Sequence, residues 1–237
     1  MPTSASPPAQ VRDRLAIALD FDDPVVAMRW ATRMKPTFGV AKIGLELWSA
    51  SGPSLVAELA GEGYRVFVDL KLADIPNTTY RAARVLGSLG ASYLTVHAFA
   101  GLACLRAGAQ GFAEGAQRGG FPAPNVLAVT VLTSEPHAPS EVVAERARLA
   151  SEAGCGGFVC AASDVAVAKQ AAPGLMAVVP GVRFAGTGAD DQGRPSTPGA
   201  AVAAGADLLV VGRAVTAADD PAGAAAALVA EVMGSLG

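Results

Sequence analysis

Charge, cysteine, histidine and long apolar runs are all scarce in this 237-residue chain, and each scarcity excludes something. Only 16% of the residues are Asp, Glu, Lys or Arg, and the formal net charge is −3, so the basic footprint of a nucleic-acid binder is missing. The three cysteines, Cys104, Cys155 and Cys160, are odd in number and form no C-x-x-C pair. With only His97 and His137 beside them, a structural His/Cys metal site is not expected. Buried thiols in a reducing cytoplasm account for them instead. No uninterrupted apolar stretch reaches the roughly eighteen residues of a membrane span. The opening MPTSASPPAQVRDR has no apolar run and carries prolines at 2, 7 and 8, unlike a signal peptide or an anchor. Residues 1–12 read as a flexible tail, and 13–237 as one catalytic domain.

What is abundant is apolar residue, 51% of the chain, distributed in a regular alternation. Eight short β-rich runs fall at 15–20, 38–44, 65–71, 92–97, 126–132, 156–161, 176–181 and 207–212. Several are nearly continuous apolar runs, as in strands of a parallel sheet covered on both faces. The Ala-rich segments between them fit helices. One covers 24–34 behind Asp22 and Asp23 as caps, and one covers 76–88 with Pro76 in its first turn. Another covers 140–153, with Ser140 as an N-cap and Gly154 as its end. Two more cover 198–204 and 214–234. Eight strands alternating with helices predict a (β/α)₈ TIM barrel. A doubly wound open sheet is the alternative, weakened because no G-x-G-x-x-G follows the first strand. The polar connection 184–197 is long for a compact domain and reads as a binding loop.

In such a barrel the active site lies at the carboxyl ends of the strands. Those ends carry Asp20, Lys42, Asp69 with Lys71, His97, Thr133, Pro180 with Arg183, and Gly212 with Arg213, whereas charge is nearly absent within the strands. Asp69 and Lys71 are two apart, so on a regular strand they share a face while Leu70 takes the other. Asp74 lies just beyond, where the loop can turn it toward the same space. A lone D-x-K could be a buried ion pair with a capping Asp. Lys42 and Asp20 add a second lysine and a third carboxylate, and desolvating such a cluster costs several kcal/mol per ion unless the pairing is nearly ideal. A protein needing only stability could place apolar residues there. At the far end, Gly212 and Arg213 stand where this fold usually cradles phosphate. Gly212 admits close backbone approach, Arg213 offers a fork of donors, and Gln192 from the long loop could close over the same anion. Arg213 could also simply face solvent.

The motifs ALD (18–20), KIG (42–44), DLKLADIPNT (69–78), VVPGVR (178–183), DDQGR (190–194) and VVGRAV (210–215) together resemble the orotidine 5′-phosphate decarboxylase family. They occur in the family's order across residues 14–220, and the D-x-K-x-x-D-I-P-N-T string is the specific one. The resemblance implies a TIM barrel that decarboxylates orotidine 5′-monophosphate to uridine 5′-monophosphate, the last step of de novo pyrimidine nucleotide synthesis, without cofactor or metal. It implies that Asp20 binds the ribose hydroxyls and that Lys42 bridges ribose and charge row. Asp69, Lys71 and Asp74 would form the row at the scissile carboxylate. It further implies a homodimer in which Asp74, Ile75 and Thr78 come from the neighbouring subunit. Thr133 would face the pyrimidine edge, Pro180 would line the base pocket, and Arg183, Gln192, Gly212 and Arg213 would hold the 5′-phosphate. His97 would be supporting. The nearest rivals are keto-gulonate-phosphate decarboxylases and hexulose-phosphate synthases, which resemble the chain in D-x-K-x-x-D but use a metal and have an acidic residue where Lys42 stands. A non-catalytic binder of phosphate ligands on the same scaffold is a further alternative.

Overall fold

A computed structural model describes residues 7–185 and 193–236. Eight parallel strands close into a barrel in sequence order: β1 (Leu15–Ala18), β2 (Val40–Ile43), β3 (Arg65–Leu72), β4 (Tyr93–His97), β5 (Asn125–Val129), β6 (Gly157–Val159), β7 (Met176–Val179) and β8 (Leu208–Val211). β8 returns to pair with β1, with Leu15 opposite Leu209, so no sheet edge remains. The expected barrel is therefore the observed one, and the open sheet is excluded.

The helices are α1 (Ala9–Arg12), α2 (Pro24–Met34), α3 (Leu45–Ser51), α4 (Ser54–Gly61), α5 (Pro76–Ser88), α6 (Leu102–Gly119), α7 (Ser140–Glu152), α8 (Val165–Ala171), α9 (Pro198–Ala203), α10 (Arg213–Thr216) and α11 (Pro221–Leu236). Among the described residues none is long and apolar enough to cross a membrane. The bounds of α2 and α5 are as the sequence predicts. Asp23 caps α2 by accepting the Val25 N–H at 2.7 Å and the Val26 N–H at 3.4 Å.

Four expectations are corrected. Ser140 is the first helical residue of α7, preceded by Pro139, and makes no capping bond. The span 214–234 is two helices, because Pro221 opens a new one after the break at 217–220. β5 stops at Val129, so Thr133 stands in the following turn rather than against a strand end. Within the expected tail, Ala9–Arg12 form a helical turn whose Val11 is buried in the core.

Alternation along the strands separates two apolar layers. Leu15, Ile17, Ala41, Ile43, Val66, Val68, Leu94 and Val96 face the helices. Ala16, Ala18, Val40, Phe67, Tyr93, Leu127, Val129, Val159, Val178, Leu208 and Val210 fill the barrel interior. The inward series therefore runs Ala18 to Asp20, Val40 to Lys42, Phe67 to Asp69 and Tyr93 to Thr95, each polar residue one step above an apolar floor.

The end of β3 is held through α5, which starts two residues after Asp74 and lies closely against α6. A Cβ on Gly115 of α6 would sit 2.0 Å from the Arg84 carbonyl oxygen, and one on Gly111 2.2 Å from that of Tyr80. Backbone cannot yield to such contacts as a flexible side chain can. We expect Gly115→Ala to lower the free energy of unfolding by about 1–3 kcal/mol, measured by urea denaturation. Unchanged stability would mean that the helices do not pack this closely.

Candidate active site

Nine of the residues expected at the rim line one cavity of about 220 Å³ at the carboxyl end of the barrel: Asp20, Lys42, Asp69, Lys71, Thr133, Pro180, Arg183, Gly212 and Arg213. Phe67, Val159, Val178 and Val210 form its apolar floor. A larger hollow of about 810 Å³ lies on the outer wall against α2, α3 and α4. Its charged lining is only Arg29, Arg33 and Glu58, with no row of opposed charges, so the smaller cavity is the chemical one.

The charged side chains form a chain of contacts. Lys42 Nζ lies 2.9 Å from Asp20 Oδ1 and 3.7 Å from Asp69 Oδ2. Lys71 Nζ lies 2.9 Å from Asp69 Oδ1. Exposure rises outward, from 9% for the Lys42 side chain and 14% for Asp69 to 32% for Lys71 and 54% for Asp20. Burial disfavours the Asp69 carboxylate, but the Lys42 and Lys71 ammoniums, with hydrogen bonds from Lys71 and Thr95, outweigh it and hold the group below the ordinary carboxylate value. Burial likewise opposes the charge on Lys42, but Asp69 and Asp20 together hold its ammonium above the ordinary lysine value. The glycine of KIG has a physical reason: a Cβ on Gly44 would lie 2.9 Å from Asp20 Oδ1 and 3.1 Å from Lys42 Nζ, inside this pair.

Asp69 and Lys71 meet, but not as neighbours on a regular strand. Val68 pairs with Leu94 and Leu72 with Val96, so four residues of β3 advance against two of β4. The slack is taken up in a bulge where Lys71 has φ of 51°, the single positive φ among the described non-glycine residues. For a lysine this left-handed conformation costs about 1–2 kcal/mol. The surroundings must hold it. Thr95, whose part the sequence did not announce, accepts the Lys71 N–H at 2.9 Å and donates to Asp69 Oδ1 at 2.9 Å. Its one sequence signal is the inward alternation of Tyr93, Thr95 and His97.

Asp74, Ile75 and Thr78 stand apart from this cavity. All three are exposed, and Asp74 Oδ1 accepts the N–H of Ile75 at 2.6 Å. Within a single chain Asp74 therefore does not turn into the same space as Lys71, which corrects the reading from sequence proximity. Its turn is pinned beneath, where Thr79 Oγ1 and Cys104 Sγ each donate to the Asp74 carbonyl at 3.4 Å. His97 does not line the cavity. It packs against the Phe99 ring at 4.3 Å, and its buried Nδ1 has no hydrogen-bond partner. Burial, then Lys71 and Arg146, push its pKa below the ordinary histidine value.

Among the residues expected to hold phosphate, Arg183 is buried, with its guanidinium donating to the Val182 carbonyl and its backbone N–H to the Ser196 carbonyl across the long connection. Arg213 is exposed at the start of α10. Gln192 lies outside the described residues. Arg194, also unassigned from sequence, ties the returning limb of that connection to the buried Asp164 carboxylate and to the carbonyls of Glu135 and Leu132.

Residues 13–228 match the family described as "Orotidine 5′-phosphate decarboxylase / HUMPS family". A protein of Anaeromyxobacter dehalogenans named orotidine 5′-phosphate decarboxylase is 46% identical over 229 residues, covering 92% of this chain and 97% of that protein. One of Parasynechococcus marenigrum with the same name is 42% identical and covers 99% of both chains. A crystal structure of orotidine 5′-phosphate decarboxylase from Lactobacillus acidophilus superposes with a TM-score of 0.75 at 31% identity, covering 93% of this chain and 99% of that one.

Because its folded pKa is depressed, Asp69 contributes stability that is fully present above the ordinary carboxylate value and is lost as pH falls through the lower folded value. Lys42, raised, contributes below the ordinary lysine value and loses that contribution as pH climbs through the folded one. We expect the Asp69 carboxyl carbon, followed by NMR, to show a group still mostly ionised as pH falls from about 8 to the ordinary Asp value of ~3.9. A midpoint at or above the ordinary carboxylate value would contradict the pairing.

Proposed function

The chain belongs to the orotidine 5′-phosphate decarboxylase / HUMPS family, and from that premise we propose that it converts orotidine 5′-monophosphate to uridine 5′-monophosphate and carbon dioxide. The observation that carries this reading is the Asp20–Lys42–Asp69–Lys71 row above an apolar floor.

Breaking the bond from C6 to the carboxylate leaves an electron pair on C6 with no adjacent group that delocalises it well. The enzyme must supply on the order of 20 kcal/mol of barrier lowering. The Lys71 ammonium, anchored by Asp69, is a fixed cation for that developing charge. Preorganised charge in a desolvated site interacts far more strongly than in water. As carbon dioxide leaves, one Lys71 N–H proton passes to C6, and the neutral amine regains a proton from solvent. Asp69 anchors the Lys71 ammonium and holds its flexible stem. Repulsion between Asp69 and the substrate carboxylate adds roughly 4 kcal/mol at 4 Å and an effective dielectric near 20, a fraction of the requirement, so Lys71 carries more.

Asp20 and Lys42 are suited to the ribose hydroxyls, Thr133 to the pyrimidine edge and Pro180 to the ring. Arg183, Gly212 and Arg213, with Gln192, are suited to the 5′-phosphate, whose remote binding energy is drawn on in the chemical step. Lys42 also separates this reading from the metal-dependent relatives. Its ammonium occupies the space between the Asp20 and Asp69 carboxylates where a cation would otherwise be held. The three buried thiols suit a reducing compartment, the cytoplasm.

The active unit is a homodimer in which Asp74, Ile75 and Thr78 reach the partner's site. Supporting this, large apolar side chains stand exposed just past four consecutive strands on the catalytic rim: Leu45 at 58%, Ile75 at 65%, Phe99 at 59% and Leu132 at 36%. A second copy covering this rim would bury them and bring in the missing carboxylate.

Loss of substrate ultraviolet absorbance in excess chelator should proceed at the full rate with wild type and fall at least ~1,000-fold in Lys71→Ala, which lacks both stabiliser and acid. A loss below about tenfold would break the mechanism, and dependence on metal would favour the rivals. Mixing inactive Lys71→Ala with inactive Asp74→Asn under subunit exchange should restore about one quarter of wild-type activity. Half of the dimers are then hybrids, each with one intact site. A mixture that stays inactive would place Asp74 outside the partner's site.

A further inference from the structure

Thr95 is completely buried on the inward face of β4, and its hydroxyl bonds both the Lys71 main chain and the carboxylate that anchors the Lys71 ammonium. At the main-chain end, Oγ1 accepts the Lys71 N–H at 2.9 Å. At the side-chain end, it donates at 2.9 Å to Asp69 Oδ1, the same oxygen that receives the Lys71 ammonium at 2.9 Å. A closed ring results: Lys71 backbone, Thr95 hydroxyl, Asp69 carboxylate, Lys71 ammonium. The ring sits where β3 slips against β4 and Lys71 adopts φ of 51°.

The direction of these bonds is fixed by chemistry. A backbone N–H can only donate, so Thr95 must accept from it, and its single proton is left to point at Asp69. A carboxylate approached by that proton, by Lys71 on one oxygen and by Lys42 on the other is surrounded by donors and held as an acceptor. The β-branched Thr side chain is stiff about χ1, so the ring is built before substrate arrives. Without the hydroxyl, the Lys71 amide turned out of the ladder would lose its partner, and with it the reason for the left-handed turn that aims the ammonium.

We propose that Thr95 is a positioning residue for the decarboxylation: it acts through Lys71 and Asp69, setting the direction of the ammonium and the ionised state of its anchor, without touching substrate. The proposal rests on the decarboxylase reading above. A hydroxyl that only filled a hydrogen-bonding vacancy in the bulge would change stability and leave the chemical step alone.

The test is steady-state decarboxylation of orotidine 5′-monophosphate across pH by Thr95→Val, which keeps shape and removes the hydroxyl, and by Thr95→Ser, which keeps the hydroxyl. Thr95→Ala against Thr95→Ser isolates the hydroxyl should the valine variant fail to fold. We expect kcat to fall ~10- to 100-fold in the valine and alanine variants, the scale of a misplacement near 1 Å, with KM within about threefold. The serine variant should stay within about threefold of wild type, and the acid limb of kcat should move to higher pH in the other two. A valine or alanine variant within about twofold of wild type, a serine variant as impaired as they are, or an acid limb that stays in place would overturn the proposal. Wild-type protein without turnover would overturn the decarboxylase reading instead. In that event, the Asp69 carboxyl carbon titration in wild type against Thr95→Ala still decides whether the hydroxyl holds the carboxylate: an upward shift on its removal supports the ring, and no shift overturns it.

Discussion

One largely desolvated carboxylate, Asp69, lies between two ammoniums, and the rest of the site is arranged around keeping it ionised. Alone at that depth it would take up a proton, since desolvation disfavours the charge. Lys71 at 2.9 Å, Lys42 at 3.7 Å and Thr95 at 2.9 Å supply the compensation. The dependence is mutual, because an unpaired ammonium at the position of Lys42 would itself be driven to deprotonate. Removing one member strands its neighbour, so the row behaves as a unit whose protonation states are coupled.

The barrel makes such a row possible at a tolerable cost. Parallel strands in register carry every second residue inward, so a polar residue one step beyond the apolar floor converges with its neighbours from within β2, β3 and β4 and from just past the end of β1. Only β3 departs from this regularity, and there the departure serves the site. The bulge at Lys71 re-aims a side chain that a straight strand would stack above Asp69. The local strain persists because β4 supplies a partner for the displaced amide and because close packing of α5 on α6 holds the strand's far end.

Features that look unfinished in one chain share one place. The exposed Asp74, the exposed Ile75, and the uncovered Leu45, Phe99 and Leu132 all stand at the rim that carries the cavity. This exposed apolar surface, beside the outlying Asp74 carboxylate, is what supports the proposed second copy over the same rim.

Much of this was legible in the linear sequence. Eight apolar runs at regular spacing, the D-x-K-x-x-D-I-P-N-T string and glycine beside lysine or arginine at strand ends specified the barrel, its family and nine of the cavity's residues, because period-two alternation and strand-end position are local properties. What tertiary structure decided was non-local. Thr95 looks like an ordinary strand residue until β4 is laid against a slipped β3, and Arg194 like an ordinary loop residue until the barrel brings Asp164 to it. The separation of Asp74 from Lys71 within one chain likewise depends on a turn pinned by Thr79 and Cys104, one of them thirty positions away. Residue spacing reports which face a side chain takes on a regular element. Where the element bends, or where the partner lies on another strand, only the packed chain settles which atoms meet.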